Sequence, residues 1–136
     1  MSSLNRRRGK ETERWFSKDL GGKRVGILGK EDIELDFVSP EIKERKNGRL
    51  CPAELRHAYN QARANSDGKI PIVILHQLYR QYKNSTVYMN QQDCKKMMNK
   101  SGITPEHDYL KEPNQEIIAM RYIDWRKMYV KFKEGT

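Results

Sequence analysis

Three charged side chains in the first third of the chain could do chemistry together. Asp32 is followed nine residues later by Glu41-Ile42-Lys43. On a β-strand, residues two apart share a face, so Glu41 and Lys43 would point one way and Ile42 the other. A hairpin-like return of the chain would bring the Asp32 and Glu41 carboxylates within reach of one metal ion. Hard divalent cations such as Mg2+ take oxygen ligands, commonly one or two carboxylates with water and phosphate oxygens. A lysine beside such a centre can orient an attacking water or offset phosphate charge. Those are the parts that phosphodiester hydrolysis requires. Alone, the triplet reads more readily as a solvated strand face with an i,i+2 ion pair.

The elements that would hold these residues follow from the apolar pattern. Trp15, Phe16 and Leu20 give a stripe at helical spacing within residues 10–20, and Gly21-Gly22 supplies a stop. Residues 1–9 read as a flexible basic arm. Val25, Ile27 and Leu28 can begin a strand. Ile33, Leu35 and Phe37 then alternate with Asp32, Glu34 and Asp36, the period-2 signature of a half-buried strand. A bend is expected at Val38-Ser39-Pro40, a second strand from Glu41 to Lys46, and a turn at Asn47-Gly48. Residues 52–65 read as a helix with Pro52 in its first turn. Residues 69–76, nearly all apolar, read as a strand buried on both faces, which calls for helices on both sides of the sheet and an α/β fold. A strand over 85–90, a helix over 91–100 ended by Gly102 and a Pro-containing linker over 103–115 complete the middle of the chain.

One internal similarity stands out. Val87-Tyr88-Met89 with Asp93-Cys94-Lys95-Lys96-Met97 matches Ile118-Ala119-Met120 with Asp124-Trp125-Arg126-Lys127-Met128. Both read as a strand followed by a helix beginning at the aspartate. So short a match arises by chance as readily as by duplication.

Composition narrows the partners. The 136 residues fit one domain with a modest core. Lys and Arg number 27 against 18 Asp and Glu, a net charge of +9, which favours an anionic partner, nucleic acid first. No apolar run approaches the roughly 20 residues of a transmembrane helix, and the N-terminus lacks the apolar stretch of a signal peptide. Cys51 and Cys94 have neither metal-ligand nor disulfide-framework spacing. A cytoplasmic, reducing setting is the simplest expectation.

The surrounding text resembles the PD-(D/E)XK (restriction-endonuclease-like) nuclease superfamily, and within it the small Holliday-junction-resolvase-like nucleases often carried by phages. The residues that carry the resemblance run from about 10 to 98. They are Glu13-Arg14 and Leu20-Gly21-Gly22 in the first helix, Gly29-Lys30-Glu31-Asp32-Ile33, Glu41-Ile42-Lys43, Gln61-Ala62, and the strand from Lys69 to His76. The resemblance implies a central mixed β-sheet flanked by helices over 10–100. Residues 101–136 would then be a C-terminal extension, packed on the core or used in dimerisation. It implies Mg2+, or Mn2+ in its place, bound by Asp32, Glu41 and the Ile42 carbonyl. Lys43 would position water and phosphate, Glu13 would reach the metal through water, and Gln61 would support the site. Asp36 competes with Asp32 for the metal role, and His76 reads as a structural strand-end residue.

Arg6, Arg7, Arg8, Lys10, Lys23, Arg24, Arg45, Lys46 and Arg49 surround the expected site and suit contacts to a DNA backbone. Tyr79, Tyr82, Trp125 and Tyr129 could stack on bases, but packing is the plainer role. The function expected is a metal-dependent DNA endonuclease, structure-selective if it works as a two-fold homodimer. The alternatives are a non-catalytic DNA-binding module on the same fold, a basic scaffold protein and an RNA-directed nuclease.

Overall fold

A computed structural model describes residues 3–24 and 33–135, with side chains from residue 9 onward and without those of Lys23 and Arg24. Asp32 and the strand expected at Val25–Leu28 lie outside the described residues, as do the side chains of Arg6, Arg7 and Arg8.

Helix α1 spans Ser3–Leu20. The arm that reads as flexible is therefore helical from Ser3, since Leu, Arg, Lys and Glu favour helix and outweigh Asn5 and Gly9. The helix stops in a Schellman turn. Gly21 N–H donates to the Lys18 carbonyl and Gly22 N–H to the Ser17 carbonyl, with Gly21 at φ +73°. A Cβ on Gly22 would lie 2.5 Å from the Glu34 carbonyl, so glycine lets the next strands pass close. Strands β1 (Lys23–Arg24) and β2 (Ile33–Glu34) form a short antiparallel pair.

The bend lies at residues 36–37, and β3 runs unbroken over Val38–Arg45. The bend expected at Val38-Ser39-Pro40 is thus displaced by two residues, with Pro40 inside the strand. The ladder shows why proline is tolerated. Ile70 N–H donates to the Phe37 carbonyl and Leu78 N–H to the Arg45 carbonyl, so odd-numbered residues of β3 turn their peptide groups toward β4. The nitrogen of Pro40 faces the other way, off the sheet edge, where a missing N–H costs no ladder bond.

Helix α2 (Pro52–Ala64) crosses over to β4 (Ile70–Gln77), which pairs parallel with β3. A 3-10 turn at Tyr82–Asn84 precedes β5 (Thr86–Asn90), α3 (Gln91–Ser101), β6 (Asp108–Tyr109), β7 (Ile117–Arg121) and α4 (Tyr122–Glu134). The main sheet has the order β3-β4-β5-β7-β6, mixed in direction and flanked by helices, so the fold is α/β as expected. Among the described residues, no helix is long and apolar enough to cross a membrane.

Residues 101–136 are woven into this sheet. β7 pairs with β5, β6 pairs with β7, and Trp125, Met128 and Tyr129 of α4 join Phe16 and Leu20 of α1 in the larger core. The other face carries a smaller cluster under α2, built from Leu55, Ala58, Tyr59, Val73 and Ile117.

The internal similarity has a structural counterpart. Adding 31 to the residue numbers of β5 and α3 gives the start and end of β7 and the start of α4. The register pairs Tyr88 with Ala119, Val87 with Met120 and Met89 with Ile118, so matching positions meet about a local two-fold at Tyr88/Ala119. Two hydrogen bonds repeat under the same operation: Gln91 N–H to the Glu116 carbonyl and Tyr122 N–H to the Ser85 carbonyl, both 2.9 Å.

Candidate functional site

The parallel register sets which way the β3 side chains point. Glu41 lies beside Val73 and Lys43 beside Leu75, and Val73 packs under α2. Glu41 and Lys43 therefore project on the α2 face of the edge strand, both half-buried. Ile42 pairs with Ile74 and packs into the larger core on the other face. The expected division of the triplet between two faces is what the structure has.

Helix α2 runs antiparallel over this strand. At one end, Arg45 forks onto Glu54, with Nη2 and Nε at 2.9 and 3.1 Å from Oε2. At the other, Ser39 Oγ donates to the carbonyls of Ala62 and Asn65 at 3.4 and 3.5 Å. Glu54, Ala58, Gln61 and Asn65 follow i, i+4, i+7, i+11 spacing and form one stripe. With its ends tied to Arg45 and Ser39, the middle of the stripe lies opposite Lys43 and Glu41. Gln61 occupies that middle, and its Oε1 is buried without a hydrogen-bond partner. A buried amide oxygen left unpaired costs about 1–3 kcal/mol.

The ladder parity that accommodates Pro40 also turns the Ile42 carbonyl away from β4, toward the outer edge. The Glu44 carbonyl has the same parity and accepts from Arg45 Nη1 at 2.7 Å. The Glu41 carboxylate, the Ile42 carbonyl and the Gln61 amide oxygen are hard oxygens of the kind that Mg2+ or Mn2+ takes. Among the described residues no group of three His, Cys, Asp or Glu is placed to hold a metal. The second carboxylate expected, Asp32, lies outside them.

Other expected members are placed elsewhere. Glu13 lines a small hollow of about 100 Å3 with Gly9, Thr12, Ile42 and Glu44, on the face of β3 opposite Glu41 and Lys43. Asp36 is exposed at the bend, near enough to Tyr129 of α4 to help raise that phenol's pKa, after burial as the larger cause. Arg45 is engaged by Glu54, whose carboxyl that hydrogen bond holds below its usual range. Lys10, Lys46 and Arg49 are exposed. Trp125 and Tyr129 are fully buried and Tyr82 stacks on Trp15, whereas Tyr79 is 78% exposed.

A polar cluster not anticipated from the sequence sits on the α1 face. His76 Nδ1 lies 2.7 Å from Glu44 Oε2, which also accepts from Thr12 Oγ1 at 2.7 Å. His76 Nε2 lies 2.8 Å from the Arg80 carbonyl. A carbonyl only accepts, so Nε2 is the donor in that contact. The cluster ties α1, β3 and β4 together, which agrees with a structural His76. The available signal was parity: Glu44 shares the inward face of Ile42, where a lone carboxylate needs partners.

A hollow of about 710 Å3 opens at the far end of the sheet, lined by residues that include Thr104, Glu106, His107, Asp108 and Arg121. Size alone would favour it as the site, but its lining lies on β5, β7 and β6, two to four strands away from Glu41 and Lys43.

A comparison with known proteins found no matching family model, curated protein or solved structure.

Proposed function

We propose that this chain is a divalent-metal-dependent DNA nuclease, with its reaction centre on the α2 face of edge strand β3. What carries the reading is the placement of Glu41 and Lys43 on the face of β3 that α2 covers, the helix of Gln61, beside an Ile42 carbonyl turned off the sheet. The PD-(D/E)XK resemblance of the same residues and the net charge of +9 support it.

In this reading Glu41 and the Ile42 carbonyl hold the cation, with Asp32 as the second carboxylate. The bound cation would supply positive charge at the phosphate and a more acidic water. Lys43 donates to a non-bridging phosphate oxygen and offsets the charge that builds as water attacks phosphorus. Gln61 Oε1 accepts a hydrogen bond from that water and fixes its line of approach. The products are a phosphomonoester and the released sugar hydroxyl.

The test is cleavage of labelled four-way junction, flap, single-stranded and linear duplex DNA, in Mg2+ and in EDTA. Lys43→Ala should lower the cleavage rate by about 10²–10³ with an unchanged melting temperature. Gln61→Leu should lower it by about tenfold while leaving stability equal or higher, because it removes an unsatisfied buried acceptor. Cutting that Lys43→Ala leaves intact would sink the assignment. Salt-sensitive DNA binding by the wild type without cutting of any substrate would favour a non-catalytic DNA-binding module.

A further inference from the structure

The two-fold that relates β5 to β7 also sets out the helices above them. An antiparallel ladder has its local two-fold normal to the sheet, so α3 and α4 lie on one face and pack against each other. Their C-terminal turns meet, with Lys100 Nζ 4.9 Å from the centre of the Phe132 ring. The correspondence places Lys96 on Lys127 and Lys100 on Lys131, and all four are exposed. Within each helix the two lysines are four residues apart, about 6 Å along one side. The result is four exposed lysines at corresponding positions of two helices that share one face of the sheet.

Little on this surface neutralises them. The two helices carry seven Lys and Arg against three carboxylates. Asp124 is taken by Arg121 at 2.9 Å, and Asp93, half-buried at the start of α3, offsets part of the charge of Lys96. Glu134 lies 3.5 Å from Lys131 in a solvent-exposed pair, which is worth little.

We infer that the α3–α4 surface is a second nucleic-acid contact that grips the two backbones of a duplex across this two-fold. Duplex phosphates on opposite strands are themselves related by dyads normal to the helix axis, so a two-fold array of cations meets both strands alike. The surface lies on the opposite side of the sheet from Glu41 and Lys43. A nuclease with both would hold one duplex arm at its reaction centre and another behind it, which favours branched DNA over an isolated duplex. The nucleic-acid partner rests on the function proposed above; the array does not depend on cleavage.

The experiment is fluorescence anisotropy with a short labelled duplex in EDTA across a KCl series. It compares the full chain with Lys96→Gln/Lys127→Gln and with the variant that also carries Lys100→Gln and Lys131→Gln. Glutamine keeps helix propensity, and melting curves check the fold. Each lost phosphate contact should lower the salt slope of binding by about 0.9, so the double and quadruple variants should lose about 2 and about 4. At moderate salt the quadruple variant should bind at least tenfold more weakly. An unchanged slope would overturn the inference, as would a wild type that binds no duplex. So would variants that lose binding only to anionic vesicles. A lowered melting temperature with unchanged slope would assign the lysines to the helix C-termini instead. A wild type that binds with the full slope change but never cuts would remove the nuclease reading and leave this surface standing.

Discussion

The β5–α3 and β7–α4 units share one backbone plan and are filled differently. Val87 and Met89 correspond to Ile118 and Met120, and Met97 to Met128, all of them buried. Cys94 stands where the second unit has Trp125, Lys95 where it has Arg126, and Gln91 where it has Tyr122. The second unit uses those larger residues to close the core against α1. Asp19 Oδ2 accepts from Tyr122 Oη at 2.6 Å and from Arg126 Nε at 2.9 Å, and the Leu20 carbonyl accepts from Lys133. Lys95 in the first unit is exposed. A repeated framework thus serves two tasks. One copy completes the sheet, and the other also clamps the N-terminal helix from more than a hundred residues away.

The widest difference lies at the Cys94/Trp125 pair. Trp125 is fully buried and stacks on Tyr129 with ring centres 4.9 Å apart. Trp125→Ala should cost about 3–5 kcal/mol in denaturant melts, enough to consume much of a small domain's stability. Cys94→Ala removes one sulfur from an equally buried place and should cost well under half as much. Equal losses would mean that the two units bear equal shares of the core.

The clamp should rank next. Asp19→Ala leaves the buried Tyr122 hydroxyl and the Arg126 guanidinium without their acceptor, so a loss of about 2–3 kcal/mol is expected. Asp19→Asn keeps an oxygen acceptor and should lose less. Lys95→Ala, at the corresponding position of the first unit, should stay within about 0.5 kcal/mol. If Asp19→Ala proves as mild as Lys95→Ala, then α1 is held by its apolar stripe alone.

Cys94 gives the comparison a pH axis. Burial, with Asp93 as a second cause, pushes its thiol from the ordinary value of 9.0 up to about 11. A raised acid pKa means that the folded state keeps a proton the unfolded chain releases, so this stabilisation is present below pH 9 and lost as pH rises toward 11. Urea midpoints measured between pH 8 and 10.5 should fall with pH for the wild type and fall less steeply for Cys94→Ala. Parallel profiles would show that Cys94 titrates like an exposed thiol.

Much of this architecture was legible in the apolar pattern. The run at 69–76 reads as a buried strand and is found as one over Ile70–Gln77, and the boundaries of α2 and α3 follow Pro52 and Gly102. The bend before β3 was misplaced because Pro40 is a turn signal in isolation and a permitted edge residue in context. Whether a strand is an edge is a property of the whole sheet. The site was legible in part for the same reason. Alternation separates Glu41 and Lys43 from Ile42, but only the parallel register with β4 reveals which face α2 covers and that Glu13 stands across the strand. The two-fold was visible as a weak repeat, and its meaning appeared only when Tyr88 met Ala119 in the ladder.

The smallest effect tests how complete the resemblance of the two units is. Both helices start directly from their strands, with nearly equal N-cap angles of −65°, 136° at Asn90 and −71°, 142° at Arg121. Asn90 Oδ1 accepts from the backbone N–H groups of Gln92 and Asp93, whereas Arg121 makes no side-chain cap bond and instead holds Asp124. Asn90→Ala should therefore cost about 1 kcal/mol. Arg121→Asn should transplant the cap to α4 and raise stability by a smaller amount, since the exposed Arg121–Asp124 pair that it removes is worth little. Thermal melts of the two single variants and the double variant would show whether the caps act independently. A loss on Arg121→Asn as large as that on Asn90→Ala would mean that α4 depends on the arginine pair for its start, and that the two helix starts have diverged in mechanism as well as in sequence.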